Sequence, residues 1–289
     1  RRDEPMKITS FRHGGRDTYG VVEGESLIDL APIAAEVGAT LRQALAQGSL
    51  GRIRDYAATA KTRVAIGQVE LLPVVPDPEK IICIGINYLT HVKETGREIP
   101  KFPMIFTRWP DSQVAHDAPI IRPKDSDKLD FEGELAVIIG KTARHVKKAD
   151  AFAHVAGYAC YNDGSVRDWQ RHTIQFTPGK NFPATGGFGP WMVTPDETGD
   201  PATLHITTRL NGQVVQDAGI DDLIFDVPTL VEYCSTFTTL NPGDVIITGT
   251  TGGVGAFREP PLWMKPGDTV EVEISKIGIL VNSIADEAR

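Results

Sequence analysis

The segment KLDFEGELAVIIG, residues 128–140, limits the folds that this chain can adopt, because its second half contains no polar side chain. A strand with one face in water alternates polar and apolar residues. Residues 135–139 are apolar at every position, which predicts a strand that is buried on both faces. Glu132 and Glu134 stand at its start. Residues two apart in a strand point to the same face, so both carboxylates are predicted to project together at the edge of the core.

The rest of the chain predicts an α+β fold that consists mostly of short strands. Strands are predicted in KIICIGIN, PMIFTR, GYACYND, DVIITGT and DTVEVEIS, and Asn211–Gly212 predicts a hairpin turn. Helices are predicted over residues 40–62 (with a break near 48–51), 88–96, 147–158 and 226–240. Residues 166–190 are predicted to be rich in loops.

The length of 289 residues allows one or two domains. Three prolines in LLPVVPDPEKI, residues 71–81, predict a linker. This linker divides the chain into a small N-terminal α/β module, residues 1–75, and a main domain, residues 76–289.

The composition argues against several classes of partner. A formal net charge of −8 disfavours nucleic acid, since phosphate backbones are bound by basic surfaces. No apolar run approaches the ~20 residues of a membrane-spanning helix, and the first residues lack the apolar segment of a secretory signal peptide. Cys83, Cys160 and Cys234 are few and far apart. They favour a reducing cytoplasm and buried packing roles over disulfides or a thiolate metal site.

A hard divalent cation explains why two carboxylates would lie side by side, because Mg²⁺, Mn²⁺ and Ca²⁺ prefer oxygen ligands. Without a cation the pair repels, and burying either group is costly. Asp163 follows an apolar strand and precedes a glycine, which makes it a candidate third ligand. The alternative is that Glu132 and Glu134 lie on the solvent face of an edge strand and that Asp163 forms a turn.

His91 and Glu94 are three residues apart in a predicted helix and therefore share a face. A carboxylate beside an imidazole fixes the tautomer of the ring and raises its basicity, which suits a general base that activates water. A solvated helix face is the simpler explanation of the pair by itself. The segment TGREIP that follows is rich in turn residues and suits a mobile lid.

Two further segments carry candidate substrate-binding groups. Arg167, Gln170 and Lys180 offer a guanidinium fork, an amide and a point charge for an anionic substrate. The loop TGTTGGVG, residues 248–255, offers backbone N–H groups and hydroxyls for a carboxylate or an oxyanion. It lacks the Gly-Lys-Ser/Thr ending of a Walker A loop and the context of a dinucleotide fingerprint. The alternatives are surface charge and a tight connection between strands.

Taken together and in this order, these segments resemble the fumarylacetoacetate hydrolase family. The resemblance rests on GINYLTHVKETG, DFEGELAVIIGK, GYACYNDGSVRDWQ, TPGKNFPATGGFGPW, LNGQVVQDA, ITGTTGGVGAFREPPLWMKPGDTVEVEI and IGILVNSI. They cover most of residues 80–284, whereas the first 75 residues are similar only as a small module that varies in this family. Arg108 and Trp109 depart from the pattern, since many relatives have a lysine and a proline there.

The resemblance implies a catalytic domain of rolled, mixed β-sheets that forms a homodimer. It also implies a role for each matching residue. The implied metal ligands are Glu132, Glu134 and Asp163, for Mg²⁺ or Mn²⁺, with Ca²⁺ as an ion that crystals could contain. The implied catalytic residues are His91, Glu94 and Lys180, and the implied substrate-binding residues are Arg167, Gln170 and Thr250.

The implied substrates are small 2-oxo or 2,4-dioxo acids, and the first expectation is a metal-dependent hydrolase of aromatic compound catabolism. It would cleave a C–C bond of an acylpyruvate or a fumarylpyruvate-like acid, through an enolate held by the ion and water activated by His91 with Glu94. The alternatives at the same metal site are isomerisation of 2-hydroxy-dienoates and decarboxylation of oxaloacetate-like acids, neither of which needs the activated water. A non-catalytic binding protein on the same scaffold is disfavoured, because every matching ligand and lysine position is present.

Overall fold

A computed structural model describes residues 6–288, which form one large sheet, two smaller sheets and short helices. The strands are β1 (Lys7–His13), β2 (Arg16–Glu23), β3 (Ser26–Asp29), β4 (Val64–Ala65), β5 (Glu70–Leu71), β6 (Ile81–Gly85), β7 (Met104–Arg108), β8 (Gln113–Val114), β9 (Ile120–Arg122), β10 (Leu129–Asp130), β11 (Gly133–Ile139), β12 (Val155–Asn162), β13 (Ser165–Val166), β14 (Gly186–Val193), β15 (His205–Leu210), β16 (Gln213–Gly219), β17 (Val245–Thr250), β18 (Thr269–Ile274) and β19 (Gly278–Asp286). The helices are α1 (Ala34–Val37), α2 (Leu41–Ala46), α3 (Leu50–Thr59), α4 (Leu89–Thr95), α5 (Arg167–Gln170), α6 (Thr177–Lys180), α7 (Pro195–Thr198) and α8 (Val227–Phe237).

The large sheet has the strand order β4-β3-β2-β1-β14-β12-β11-β17-β6-β7, with β5 beside β1 and β8 beside β14. Most neighbours are antiparallel, while β17 and β6 run parallel. The second sheet has the order β16-β15-β18-β19-β9, and β10 pairs with β13. These mixed sheets with few helices confirm the predicted α+β fold, which is mostly β.

The position of strand β11 between two hydrophobic cores explains why its sequence is apolar. Leu135, Val137 and Ile139 belong to a core that also contains residues of β18 and α8. Ala136 and Ile138 belong to the opposite core, which contains residues of α2 and of the first three strands. Since successive side chains of a strand point to opposite faces, a strand covered on both faces needs an apolar residue at every position, as predicted.

Two stretches differ from the sequence prediction. Residues 148–154 form a 3₁₀ helix, but the second part of the predicted helix over 147–158 is the beginning of β12. Residues 186–190, predicted to be loop, belong to β14. In both stretches, pairing with neighbouring strands outweighs the local preferences of Ala, Gly and Pro. A Cβ at Gly187 would lie 2.6 Å from the side-chain oxygen of Asn282, so this glycine allows close packing between the two sheets.

The N-terminal strands extend the large sheet, because β1 pairs antiparallel with β14. The predicted boundary near residue 75 stays a prediction. The hairpin predicted at Asn211–Gly212 connects β15 and β16, and both turn residues have positive φ angles, 52° and 79°, as a type I′ turn requires. Among residues 6–288, no helix combines the length and apolar character that crossing a membrane would require.

Candidate metal centre and active site

The candidate site lies where three neighbouring strands of the large sheet meet. Strand β11 runs antiparallel to both β12 and β17, so its first residues lie beside the last residues of those two strands. The backbone N–H of Asp163 donates to the Glu132 carbonyl at 2.8 Å, and the Asn162 side chain accepts from the Glu132 N–H at 2.9 Å. These bonds hold the entry to β11 against the exit of β12.

The three acidic residues Glu132, Glu134 and Asp163 converge in the interior. Their exposed fractions are 6%, 2% and 0%, and one carboxylate oxygen from each lies within 4.8 Å of the others. The alternative that the glutamates face solvent on an edge strand is therefore wrong, since β11 is also a central strand. A buried set of three carboxylate oxygens at this spacing fits a hard divalent cation such as Mg²⁺ or Mn²⁺.

Lys180 and Arg167 neutralise part of this acidic cluster. The Lys180 Nζ donates to Glu132 Oε2 at 2.9 Å, to Asp163 Oδ2 at 2.7 Å and to Ser165 Oγ at 2.6 Å. Arg167 contacts Glu132 Oε1 through Nη1 at 2.6 Å and Asp130 Oδ2 through Nε at 2.8 Å. Both basic side chains are buried, so the alternative of ordinary surface charge is wrong for them.

Arg108 forms hydrogen bonds with the third acidic residue, Asp163, and with its surroundings. Its Nη1 donates to Asp163 Oδ1 at 2.7 Å and to the Gly164 carbonyl at 2.9 Å, and its Nη2 donates to Thr185 Oγ1 at 2.8 Å. The side chains of Arg108 and Asp163 are both fully buried. Arg108, which departs from the family pattern, therefore contacts a predicted metal ligand. Trp109, the other departure, is 54% exposed.

The pKa values of Glu132 and Glu134 are shifted in opposite directions. Burial opposes the ionisation of Glu132, but Lys180 and Arg167 outweigh it and hold the pKa of Glu132 well below its usual range. Burial raises the pKa of Glu134 well above its usual range, and the neighbouring carboxylates of Asp163 and Glu132 raise it further. Among residues 6–288, Glu134 has no cationic side chain within hydrogen-bonding distance; its Oε2 accepts from the Gly249 N–H at 2.6 Å.

Replacing Glu134 with glutamine is expected to abolish most of the stabilisation that Mg²⁺ gives while leaving the metal-free protein at least as stable as before. The amide removes a buried acidic group from beside two carboxylates, and its oxygen still accepts from Gly249. For a ligand present at 100 times its Kd, the expected wild-type stabilisation is about 2.7 kcal/mol. Thermal unfolding with and without Mg²⁺ measures both quantities.

The matched control for this experiment is Glu25→Gln, because Glu25 is exposed in the turn between β2 and β3. This variant should keep the full response to Mg²⁺. A Glu134→Gln protein with the wild-type response would show that Glu134 is not a ligand.

His91 and Glu94 form a pair on α4. His91 Nδ1 lies 3.0 Å from Glu94 Oε2, and Glu94 Oε1 accepts from the Gly253 N–H at 2.9 Å. His91 is only 8% exposed, so a solvated helix face does not describe it. The glycine-rich loop after β17 thus holds the carboxylate that orients the imidazole, which is the geometry of a general acid or base.

Thr250, the last residue of β17, and Gln216 connect the start of the glycine-rich loop to the first residues of β11. Thr250 Oγ1 donates to the Gly133 carbonyl at 3.0 Å and accepts from Gln216 Nε2 at 2.7 Å. Gln216 Oε1 accepts from the Gly133 N–H at 2.9 Å. The Thr250 position next to Glu134 therefore depends on a residue of the second sheet.

One pocket brings most of the predicted residues together. Its lining includes His91, Glu132, Arg167, Gln170, Lys180 and Thr250. Gln170 accepts from Arg167 Nη1 at 2.9 Å, and Glu94 contacts His91 but is not among the lining residues. Phe106 and Phe176 pack edge to face, with ring centroids 5.6 Å apart, and form an apolar part of the lining. Trp109 is not among the lining residues.

Asp130 is a site residue that the sequence reasoning missed. It is fully buried, and besides its contact with Arg167 it accepts from the N–H groups of Gly255 and Ala256, each at 2.8 Å. It therefore ties the glycine-rich loop to Arg167. Its signal was present in DFEGE, since Asp130 continues the two-residue spacing of the acidic pair. No comparable local signal marks Gln216.

The comparisons with known proteins agree with this fold. Residues 80–285 match the family model described as fumarylacetoacetate (FAA) hydrolase C-terminal. The human mitochondrial oxaloacetate tautomerase FAHD2A is 39% identical over 290 residues, which cover 96% of this chain and 91% of that protein.

Solved structures give the same result. Fumarylacetoacetate hydrolase from Exiguobacterium antarcticum has a TM-score of 0.87 and 35% identity, over 98% of this chain and 100% of that one. Maleylpyruvate hydrolase from Sphingobium sp. SYK-6, in complex with manganese(II) and pyruvate, has a TM-score of 0.82 and 28% identity, over 98% and 100%. With a family model matching most of its length and a relative this similar over nearly all of it, the chain belongs to the fumarylacetoacetate hydrolase family.

Proposed function

We propose that this protein is a divalent-metal-dependent tautomerase that interconverts the enol and keto forms of oxaloacetate or a close 2-oxo dicarboxylic acid. The observation that carries the proposal is the His91–Glu94 pair, which faces the same pocket as Glu132 and Lys180. The human relative is an oxaloacetate tautomerase, which supports the choice of oxaloacetate.

The reaction moves one proton from the 2-hydroxyl oxygen to C3 and leaves the composition unchanged. His91 takes up the proton that leaves the 2-hydroxyl group and delivers a proton to C3, and Glu94 keeps the imidazole in one orientation. Lys180 stabilises the negative charge that develops on the 2-oxygen as the enol loses its proton. His91 is 8% exposed and Lys180 1%, so few water molecules can reach either group.

The remaining polar groups hold the substrate. Arg167 Nη2 is buried and has no hydrogen-bond partner among residues 6–288, so it is available to bind the carboxylate next to the 2-oxo group. Gln170 and Thr250 line the same pocket. Mg²⁺ or Mn²⁺ held by Glu132, Glu134 and Asp163 would supply Lewis-acid polarisation of a 2-oxo group.

The test follows the enol form of oxaloacetate by its ultraviolet absorbance in the presence of purified protein and Mg²⁺. We expect the decay of the enol to be faster than in buffer with Mg²⁺ alone, slow after chelation of the metal, and fast again when Mg²⁺ or Mn²⁺ is restored. Proton NMR of the same mixture separates tautomerisation from decarboxylation, which would produce pyruvate. Equal decay with and without protein would overturn the proposal.

A second candidate is hydrolysis of a C–C bond in an acylpyruvate or fumarylpyruvate-like acid, supported by the similarity to maleylpyruvate hydrolase. In that reaction the same His91 would take a proton from water, which then attacks the distal carbonyl. Assays on a panel of acylpyruvates, read as loss of diketone absorbance with formation of pyruvate, distinguish the two candidates. Isomerisation of 2-hydroxy-dienoates and decarboxylation remain further alternatives, and the homodimer and the cytoplasmic location stay predictions.

A further inference from the structure

The pocket also contains two arginines that have no role in the site described above. Arg97 and Arg171 both line it, and neither forms an ion pair with an acidic residue within residues 6–288. Glu132 is the one carboxylate among the lining residues of this described part of the chain, and Lys180 and Arg167 already engage it. Arg97 and Arg171 are therefore the two arginines of this lining that no acidic side chain of residues 6–288 holds in an ion pair, whereas Arg167 and Lys180 also engage Asp130 and Asp163.

Phe257 places one of these arginines close to the proposed proton-transfer group. The guanidinium carbon of Arg171 lies 5.7 Å from the Phe257 ring centroid, and the His91 ring packs against the same phenyl ring, with centroids 6.1 Å apart. Arg171 therefore lies on the side of the pocket that His91 occupies, whereas Lys180 lies between the predicted metal ligands.

The local structure holds the arginines near one another. Arg171 follows α5 directly and is four residues after Arg167. Arg97 follows Gly96, whose left-handed conformation, φ 65°, ends α4 and turns the chain. Partial burial lowers the pKa of Arg171, the positive charge of Arg167 lowers it further, and that of Arg97 adds to this effect, while Asp130 offsets part of it. A bound anion would relieve this repulsion.

We propose that Arg171, together with Arg97, forms a subsite for the second carboxylate of a dicarboxylic 2-oxo acid, at the His91 end of the pocket. The first carboxylate and the 2-oxo group occupy the end with Lys180 and Arg167. The two anionic ends of the substrate then span the pocket, and C3 lies between them beside His91. The arginine fork matches a carboxylate in geometry as well as charge. Arg171 and Arg97 are thus specificity-determining residues. This inference rests on the proposed function only for the assumption that the other end of the substrate is a 2-oxo acid.

The test compares two stable ligands of equal length, 2-oxoglutarate and 2-oxopentanoate, which differ in having a carboxylate or a methyl group at the far end. Binding is measured by calorimetry with Mg²⁺ present, so no turnover is required. We expect the wild type to prefer the diacid, and Arg171→Gln to weaken binding of the diacid by about 10–100-fold, the loss typical of hydrogen bonds to a charged group. Binding of the monoacid should hardly change.

Further variants separate a specific subsite from general charge. Arg97→Gln should show the same selective loss, Arg171→Lys should recover part of the diacid binding, and Arg12→Gln, a surface arginine paired with Asp17 on β1 and β2, should have no effect. Equal weakening of both ligands in Arg171→Gln, or no preference in the wild type, would overturn the subsite.

The outcome is independent of the reaction that the enzyme catalyses. If oxaloacetate tautomerisation is absent but the diacid preference is present and depends on Arg171, the subsite stands and the proposed function fails. If tautomerisation is present but Arg171→Gln leaves the KM for oxaloacetate unchanged, the proposed function stands and the subsite fails.

Discussion

Replacing Lys180 with methionine is expected to lower the free energy of unfolding of the metal-free protein by about 3–5 kcal/mol, the cost typical of removing one partner from a buried ion pair. The Lys180 Nζ bonds Glu132 and Asp163, and the three side chains are at most 8% exposed. Burial opposes the charge on Lys180, yet the two carboxylates outweigh it and raise its pKa. Methionine has a similar volume but would leave both carboxylates without this partner. Chemical denaturation of the metal-free protein measures the effect.

The matched control is Lys148→Met. Lys148 donates to Asp226 at 2.8 Å, but both side chains are about half exposed, so the loss should stay below about 1 kcal/mol. Added Mg²⁺ is expected to recover part of the stability of Lys180→Met, because a divalent cation can neutralise the same carboxylates. A Lys180→Met protein that loses no more stability than the control would mean that Lys180 does not balance the acidic cluster.

Replacing His91 with alanine is expected to reduce kcat about 10²–10⁴-fold, the range typical of a lost general acid or base. The response of the melting temperature to Mg²⁺ should not change, because the predicted metal ligands are three acidic residues and His91 is not one of the ligands. The KM should change little, since the imidazole transfers a proton and does not bind either carboxylate of the substrate. Steady-state kinetics on oxaloacetate, with thermal unfolding of the same samples, separates these quantities.

Two variants test the specificity of this effect. Glu94→Gln should give an intermediate loss of kcat, because glutamine can still bond the imidazole but does not stabilise its positive charge. His205→Ala removes a half-exposed histidine of β15 and should leave the rate unchanged. A His91→Ala enzyme with wild-type kcat would exclude His91 as the proton-transfer group in either candidate reaction.

Features that depend on neighbours in sequence were predictable. The apolar run of β11 required cover on both faces, and the two cores provide it. The three-residue spacing of His91 and Glu94 put them on one helical face, where they form a hydrogen-bonding pair. The predicted strand over 157–163 lies within β12 except for Asp163, which follows that strand. In each case the spacing of residues along a regular element determines where the side chains point.

Features that depend on pairing between distant segments were not predictable from residue patterns. Residues 186–190 were expected to be loop, but the place of β14 between β1 and β12 makes them part of a strand. Asp130 and Gln216 gain their roles from partners far along the chain, and local preferences do not encode such contacts.

Residue patterns were enough to predict the α+β class, the buried strand and the shared face of Glu132 and Glu134, and the last of these follows from the two-residue period of a strand. The three-dimensional fold was needed to show that Asp163 completes the acidic cluster, that Lys180 lies between its carboxylates and that Arg108 holds Asp163. These contacts join separate elements of the fold. They arise because antiparallel pairing of β11 with β12 and β17 brings the strand ends to one place, and burial there makes each unpaired charge costly enough to need a partner.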